Sequence, residues 1–310
     1  MSNRQIARQD YQLVNSRYKL TANETKLILN AISEIQMHDE AFHPYRIRVT
    51  DISEELGRKQ NHSRLKEFCE GIFKKPVHIP KERGGWLICN WFSSIEYLAG
   101  SGEIQYKISD ELKPYLLDLK QRFVKTNLRH ILPMTSEYAI RIYQLIKERQ
   151  KLGERSFDLA ELQDQLQVPK SLHVYADFKR KVLNVARKQI NQYTDLEITE
   201  IREIKRGRKV VEIVLSFAHN PRNVELADLQ QIYHGLAVID PKTEELYEIR
   251  DIVYYDGGNI HYDAKHLETK EYKRFTIKME TFWFLLDMGE SRSGRGWRVL
   301  DDDGNAVPMH

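Results

Sequence analysis

The chain has few cysteines and no long apolar segment. Its 310 residues include only two cysteines, Cys69 and Cys89, which form no CxxC pair. That spacing is typical of buried thiols in a reducing compartment rather than of a disulfide or a zinc site. The longest apolar run, residues 282–286, falls far short of the roughly 20 residues that cross a bilayer. The N-terminus lacks the apolar region of a secretory signal, so we expect a cytoplasmic protein with no membrane contact.

The charge is distributed unevenly along the chain. The net charge is +3, yet residues 1–222 hold 38 basic against 28 acidic residues, whereas residues 223–310 hold 10 against 17. Such asymmetry is typical of a polyanion-binding body with an appendage that does not touch the polyanion. Ordinary surface variation is the alternative at this point. The composition, with 41% hydrophobic and 30% charged residues, indicates a globular chain of about two domains.

The same order of elements is predicted twice. In the first copy, apolar spacing predicts a helix over residues 21–37, with Thr21 as N-cap and Glu24 as its capping-box partner. The elements predicted after it are a strand over 45–49, a short helix opened by Asp51, a third helix over 63–74, and strands over 77–79, 86–97 and 103–108.

In the second copy, about 110 residues later, Thr135-Ser136-Glu137 opens the first helix. The remaining elements of this copy are a strand at Phe157, a short helix over 159–168, a third helix over 177–193, and a hairpin of 196–204 and 210–217 that turns through 205–209. Three helices followed by a hairpin are the winged-helix form of the helix-turn-helix, whose third helix enters the major groove of DNA.

We therefore predict an α+β fold with two tandem winged-helix domains, residues 1–130 and 131–222. Beyond Pro221, strand-like segments over 236–239, 249–255 and 275–284 predict a small acidic β-rich domain, residues 223–310. We hypothesise that Phe282, Trp283 and Phe284 form a protein-contact module in that domain. Core packing is the alternative role for these aromatic residues.

The third helix of the second copy is basic opposite its apolar stripe. A solvated helix surface normally mixes acidic and basic residues, whereas here no acidic residue lies between Asp177 and Asp195. Arg180 is expected to contact guanine, and Lys179 and Lys181 to contact bases or phosphates. The DNA-binding residues predicted on this helix and the loop before it are Ser171, His173, Tyr175, Lys179, Arg180, Lys181, Asn184, Arg187 and Lys188. A surface histidine without a special role is the alternative for His173, and a plain solvated face the alternative for the helix.

Two further clusters extend the predicted DNA surface. The hairpin tip holds Lys205, Arg206, Arg208 and Lys209 around Gly207, which permits a tight turn, and these cations suit phosphate or minor-groove contact. In the first copy, a sparser cluster predicts a second contact with the DNA backbone; its members are Arg58, Asn61, Ser63 and Arg64. A solvated surface is the alternative in both places.

No catalytic constellation accompanies these clusters. A nicking enzyme needs an H-x-H metal pair and a nucleophilic tyrosine, but none of the 11 histidines has another two residues away. Tyr262 and Lys265 match a Y-x-x-K nucleophile motif, but the histidine pair that would bind the metal is missing. The sequence has no G-K-[ST] phosphate loop, and the acidic run 301–303 lacks the first ligand of a calcium loop. We expect a protein that is not an enzyme and has no metal site and no cofactor.

Several ordered motifs resemble the replication initiators of theta-replicating, iteron-containing bacterial plasmids. The motifs are residues 13–16, 20–21, 25–32, 138–145, 177–183, 189–191 and 205–208, and the resemblance covers about residues 10–220. It implies that the second domain reads iteron repeats in double-stranded origin DNA, through the helix that begins near Asp177. The first domain would contact the DNA backbone and supply the dimer contact.

The resemblance also implies partners. Such proteins bind iterons as monomers, repress their own gene as dimers, promote origin opening, and recruit the host initiator protein and the replicative helicase. Residues 223–310 match nothing in that family. A winged-helix transcriptional regulator without a role in replication and a nicking rolling-circle initiator are the alternatives.

Overall fold

The chain forms two compact units, Met1–His219 and Asn220–His310. The structure, a computed structural model, describes residues 6–36, 39–52, 62–117, 119, 123–220, 223, 237–239, 243, 245–255, 259–278 and 299–300. Within these residues no helix is long and apolar enough to cross a membrane.

The first unit contains two winged-helix modules. The elements of the first module are β1 (Ile6–Asp10), α1 (Tyr11–Val14), α2 (Ala22–Ser33), β2 (Tyr45–Arg48), α3 (Val49–Ile52), α4 (His62–Phe73), β3 (Val77–Pro80), β4 (Trp86–Cys89), β5 (Phe92–Leu98), β6 (Glu103–Ile108), α5 (Lys113–Leu116), β7 (Phe123–Asn127) and α6 (Leu128–Ile131). Those of the second are α7 (Glu137–Lys147), β8 (Glu154–Asp158), α8 (Leu159–Gln165), α9 (Tyr175–Phe178), α10 (Asn184–Tyr193), β9 (Leu196–Arg206) and β10 (Lys209–His219).

The first module follows the predicted order with several corrections, one of which is that α2 ends at Ser33, ahead of the predicted end at residue 37. The capping box of α2 is confirmed, because the backbone N–H of Glu24 donates to Thr21 Oγ1 and that of Thr21 donates to Glu24 Oε2. However, α3 begins at Val49, ahead of Asp51. The strand predicted over 86–97 is two strands, β4 paired with β3 and β5 paired with β6, since buried Trp91 interrupts it. The antiparallel pair of β1 and β7 was not predicted.

In the second module, α7 begins at Glu137, within the predicted start at residues 135–137, with Ser136 as its N-cap, and the sheet order is β8-β10-β9. The third helix begins at Tyr175, two residues earlier than predicted, and a π-helical turn over Lys179–Leu183 joins α9 to α10. The wing turn is shorter than predicted because Arg206 pairs with Lys209, which leaves only Gly207 and Arg208 between the strands.

The two modules share one hydrophobic core. Helix α7, with which the predicted second domain opens, carries the buried Arg141, which donates hydrogen bonds to the hydroxyl of Tyr18 and the carbonyl of Ser16, at 2.9 Å from the latter. The guanidinium also lies 3.9 Å from the centre of the Tyr18 ring. Gln144 donates to Gln9 Oε1 at 2.8 Å. These buried contacts join the modules into one unit.

The second unit is a five-stranded antiparallel sheet, which confirms the β-rich prediction. Its strands, in the sheet order β14-β13-β12-β11-β15, are β11 (Ala237–Ile239), β12 (Leu246–Tyr255), β13 (Asn259–His266), β14 (Tyr272–Lys278) and β15 (Val299–Leu300). Strand β13 was not predicted. Phe282, Trp283 and Phe284 lie outside the described residues.

Both cysteines are free and partly buried. Burial raises the pKa of the Cys69 and Cys89 thiols to about 11. Each thiol is therefore protonated at neutral pH, and a protonated thiol is a poor nucleophile.

A buried carboxylate ties α7 to the loop before β9. Asp195 accepts hydrogen bonds from the Tyr143 hydroxyl, at 2.7 Å, and from the Lys147 ammonium. Because that hydroxyl donates to Asp195, the Nδ1–H of His130 donates to the hydroxyl, at 3.0 Å. Burial opposes ionisation of Asp195, but Lys147, His130 and Tyr143 outweigh it and hold the pKa of this carboxyl well below its usual range.

Replacing Tyr143 with Phe tests this network. Tyr143→Phe removes the hydroxyl that bridges His130 and Asp195, so we expect the free energy of unfolding to fall by about 1–3 kcal/mol. The control is Tyr193→Phe, which alters a half-buried tyrosine of the same module and is expected to change stability by less than about 0.5 kcal/mol. Denaturant unfolding measures both. Equal losses would contradict the role given to the hydroxyl.

Candidate DNA-binding surface

The third helix of the second module presents an exposed polar stripe. Its apolar side is buried, with Phe178, Val182, Leu183, Ala186 and Ile190 in the core. The exposed residues on the other side are Arg180, Lys181, Asn184, Arg187 and Lys188. The side chains of Lys181, Asn184 and Lys188 have no hydrogen bond or ion pair with any other described residue. Their donors therefore remain available to an external partner.

Acidic residues neutralise part of this helix, contrary to expectation. Arg180 pairs with Asp177 at 2.6 Å, and Lys179 pairs with Glu203 at 2.6 Å. The uniformly cationic helix face expected from the sequence is wrong at both positions, because Asp177 lies one turn before Arg180 and the wing brings Glu203 alongside Lys179. Arg180 nevertheless stays exposed.

Glu203 gathers three side chains from the helix and the wing. Its Oε1 accepts from the Tyr175 hydroxyl at 2.9 Å and from Lys179, and its Oε2 lies 3.5 Å from Lys205 Nζ. The hydrogen bonds from Lys179 and Tyr175 hold the pKa of the Glu203 carboxyl below its usual value. Burial and the adjacent Glu203 raise the pKa of Tyr175. Tyr175 and Lys179 thus contact the wing.

The opposite end of the helix is tied to the base of the wing. Arg187 donates from Nε to the carbonyl of Ile198 at 3.0 Å and from Nη2 to that of Thr199 at 2.6 Å. Asn191 accepts the Ile198 N–H at 2.7 Å and donates to the Ile198 carbonyl at 3.2 Å. The strand register shifts at Thr199. This irregularity in the pairing of the strands leaves backbone groups of Ile198 and Thr199 for hydrogen bonds with the helix side chains.

The wing tip carries the second group of exposed cations. Arg206, Arg208 and Lys209 are exposed and have no partner among the described residues. Gly207 adopts a φ of +63°, a left-handed conformation that glycine takes without strain. In contrast, the wing of the first module turns through residues 99–102, which carry no charge. The two wings are therefore not equivalent electrostatically.

The loop before the third helix is held by a histidine. Because a carbonyl only accepts, the Nε2–H of His173 donates to the Val168 carbonyl, at 2.9 Å. Gln163 donates to the His173 carbonyl at 3.1 Å. This ring therefore has a local structural role, while Ser171 is exposed.

In the first module, Ser63 and Arg64 are exposed at the start of α4. Arg58 and Asn61 lie outside the described residues. Across the described part of the chain, no group of three or more His, Cys, Asp or Glu side chains could hold a metal ion.

Glu203 is the residue that sequence reasoning missed. Nothing in the local sequence links it to Lys179, 24 residues earlier, because the contact depends on how the wing packs on the helix. One signal was available: Glu203 is the acidic residue nearest to the basic wing tip. The Asp177–Arg180 pair, at a spacing of three on one helix, was also visible in the sequence.

Two profiles of one protein family match the chain. The profile described as "Initiator Replication protein, WH1" matches residues 6–147, and that described as "Initiator Rep protein, WH2" matches residues 158–217. Together they cover well over half of the chain; the first match extends through α7, and the second runs from the end of β8 into β10.

Individual proteins are also similar. An Escherichia coli protein named "Replication initiation protein" is 27% identical over 211 residues, which are 64% of this chain and 64% of that protein. The chain thus matches somewhat less than two thirds of that relative's length. The crystal structure of Pi initiator protein in complex with iteron DNA has a similar fold, with a TM-score of 0.53 and 17% identity over 71% of this chain and 99% of that chain.

Two substitutions in α10 compare an asparagine that bonds to the wing, Asn191, with an exposed one, Asn184. Asn191→Ala leaves the Ile198 N–H without its partner, so we expect a loss of about 1–3 kcal/mol in the free energy of unfolding. Asn184→Ala, at an exposed position of the same helix, is expected to cost less than about 0.5 kcal/mol. The gain in helix propensity is common to both variants and cancels in the comparison. Denaturant midpoints that coincide would refute the helix–wing contact.

Proposed function

The chain belongs to the family of initiator replication proteins that those two profiles describe, and on this premise we propose that it binds iteron repeats and initiates plasmid replication. The observation that carries the proposal is the exposed stripe of Arg180, Lys181, Asn184 and Lys188 beside the basic wing tip. A duplex offers both surfaces a partner, because a helix in the major groove brings the hairpin to the adjacent backbone. The likeness to Pi initiator protein, solved on iteron DNA, supports this reading.

We propose distinct roles within the second module. Arg180 would donate two hydrogen bonds to the edge of a guanine, and the amide of Asn184 would pair with an adenine. Lys181 and Lys188 would contact phosphates or base edges. The wing-tip cations Arg206, Arg208 and Lys209 suit phosphates, which carry no sequence information. Tyr175, Lys179 and Arg187 act through the wing, as positioning residues, rather than by direct base contact.

The first module would contact the DNA backbone through Ser63 and Arg64 at the start of α4. With boundaries near residues 130 and 222, the modules would act together on one repeat. The protein would need no catalytic group, cofactor or metal, because the energy that opens the origin would come from binding. Protomers on adjacent repeats would bend the duplex, and the neighbouring A·T-rich DNA would take up the strain. Recruitment of the host initiator protein and replicative helicase, repression of the protein's own gene, and a cytoplasmic location complete the proposal.

We further propose that strand β4 supplies the dimer contact. Trp86 is 71% and Ile88 45% exposed on this strand. Within the described residues β4 pairs only with β3, so its other edge presents unpaired backbone groups next to apolar side chains. Such an edge is a template for pairing with another chain, and here the partner is a second copy of this protein.

Two sets of substitutions test whether the third helix reads the base sequence while the wing tip binds phosphates. Arg180→Ala should weaken binding to an iteron fragment by about 5- to 150-fold and leave binding to random DNA nearly unchanged. The double variant Arg206→Ala with Arg208→Ala should weaken binding to both and flatten the salt dependence by about two in slope. Mobility-shift titrations at several salt concentrations measure both. If the two variants act alike on random DNA, the assignment fails.

Trp86→Glu tests the dimer contact. A charge on an exposed apolar edge opposes pairing, so we expect the dimer dissociation constant to rise by about tenfold or more. Leu152→Glu, which places the same charge at a 64% exposed leucine of the second module, serves as control and should dimerise like the unmodified protein. Sedimentation equilibrium reports the constants. An unchanged dimer in Trp86→Glu would exclude β4.

A further inference from the structure

Glu203 is an acidic residue between the cations of the third helix and those of the wing. On one side lie Tyr175 and Lys179 of the third helix, and on the other Lys205 of the wing. The carboxylate is 21% exposed, whereas the side chains of Lys179 and Lys205 are 41% and 55% exposed. A carboxylate at this position repels the phosphates of an approaching duplex. It is therefore a cost to DNA binding unless it serves another purpose.

We propose that Glu203 is a specificity-determining residue, which suppresses binding to non-iteron DNA by occupying Lys179 and Lys205 and by fixing the start of the third helix on the wing. This inference rests on the proposed function and deepens it. A carboxylate offers an ammonium the same kind of charged oxygen acceptor as a phosphate does. Glu203 therefore competes with DNA phosphates for both lysines.

The first consequence concerns binding that is independent of sequence. Its strength depends on how many cations reach phosphates and release their counterions. In this protein Lys179 and Lys205 already have an anionic partner, whereas Arg206, Arg208 and Lys209 have none among the described residues. Glu203 thus removes two cations from the set that any DNA sequence would attract.

The second consequence concerns the direction of the reading side chains. Lys179 is the first residue of the π-helical turn Lys179–Leu183, which also contains Arg180 and Lys181. A π turn holds more residues than an α turn. The presence of this π turn therefore sets the direction in which these side chains point relative to α10. Glu203 anchors the first residue of this turn, while Arg187 and Asn191 anchor α10 to Ile198 and Thr199. Both ends of the helix are therefore held by β9.

Glu203→Gln tests the inference, with Glu200→Gln as the matched control. Glu200 lies on the same strand and is exposed, and its side chain has no hydrogen bond or ion pair with another described residue. Each substitution removes one negative charge, so the general gain in attraction to DNA is common to both. Dissociation constants are measured for an iteron fragment and for a random fragment of equal length, at several salt concentrations.

We expect Glu203→Gln to bind random DNA at least about fivefold more tightly than Glu200→Gln does, with a salt slope steeper by up to about two. Its preference for the iteron over random DNA should fall by about tenfold. Adding both Lys179→Gln and Lys205→Gln to Glu203→Gln should reverse most of the gain on random DNA. Circular dichroism and thermal unfolding establish that the variants remain folded.

The outcomes separate this inference from the proposed function. If the unmodified protein prefers the iteron but Glu203→Gln and Glu200→Gln show the same preference ratio within twofold, the role of Glu203 is refuted and the proposed function stands. Equal weakening on both DNA fragments by Glu203→Gln alone would also refute it, since that is the result of a purely structural brace. An unmodified protein with no preference would overturn the proposed function itself.

Discussion

The hydrogen bonds between the third helix and strand β9 are the constraint on which the proposed interface depends. Arg187 and Asn191 hold one end of the helix on Ile198 and Thr199, and Glu203 holds the other. A helix in the major groove and a wing on the neighbouring backbone must keep a fixed separation. Because these contacts set that separation in advance, little conformational freedom has to be lost when DNA binds.

The joint between the modules extends this constraint to the whole first unit. Arg141 carries its charge into the shared core, where its guanidinium contacts the hydroxyl and ring of Tyr18 and the carbonyl of Ser16, while its Nε has no hydrogen-bond partner among the described residues. A buried cation needs such partners, because desolvation penalises its charged form. If both proposed binding surfaces on this unit contact one duplex, the second contact is effectively intramolecular.

Much of the fold follows from local signals. Thr21 with Glu24, and Ser136 before α7, are capping sequences that the structure retains. The spacing of Phe178, Val182, Ala186 and Ile190 identifies the buried side of the third helix. Three features could not be predicted. The β1–β7 pair joins segments more than 100 residues apart, the π turn is not encoded by periodicity, and the pairing of Glu203 with Lys179 requires the wing to be packed. Local sequence predicts which side chains are exposed, but tertiary contacts decide which of them remain unpaired.

We propose that the exposed helix stripe and the basic wing tip of the second module meet duplex DNA at repeated sites. Hydroxyl-radical footprinting of the DNA that flanks the gene, with the purified full-length protein, is the decisive measurement. We expect protected segments that recur on one face of the duplex at a spacing of about two helical turns, roughly 20 base pairs. A single isolated protected segment would contradict the role in replication. The absence of any protection, even at low ionic strength, would contradict DNA binding by this surface altogether.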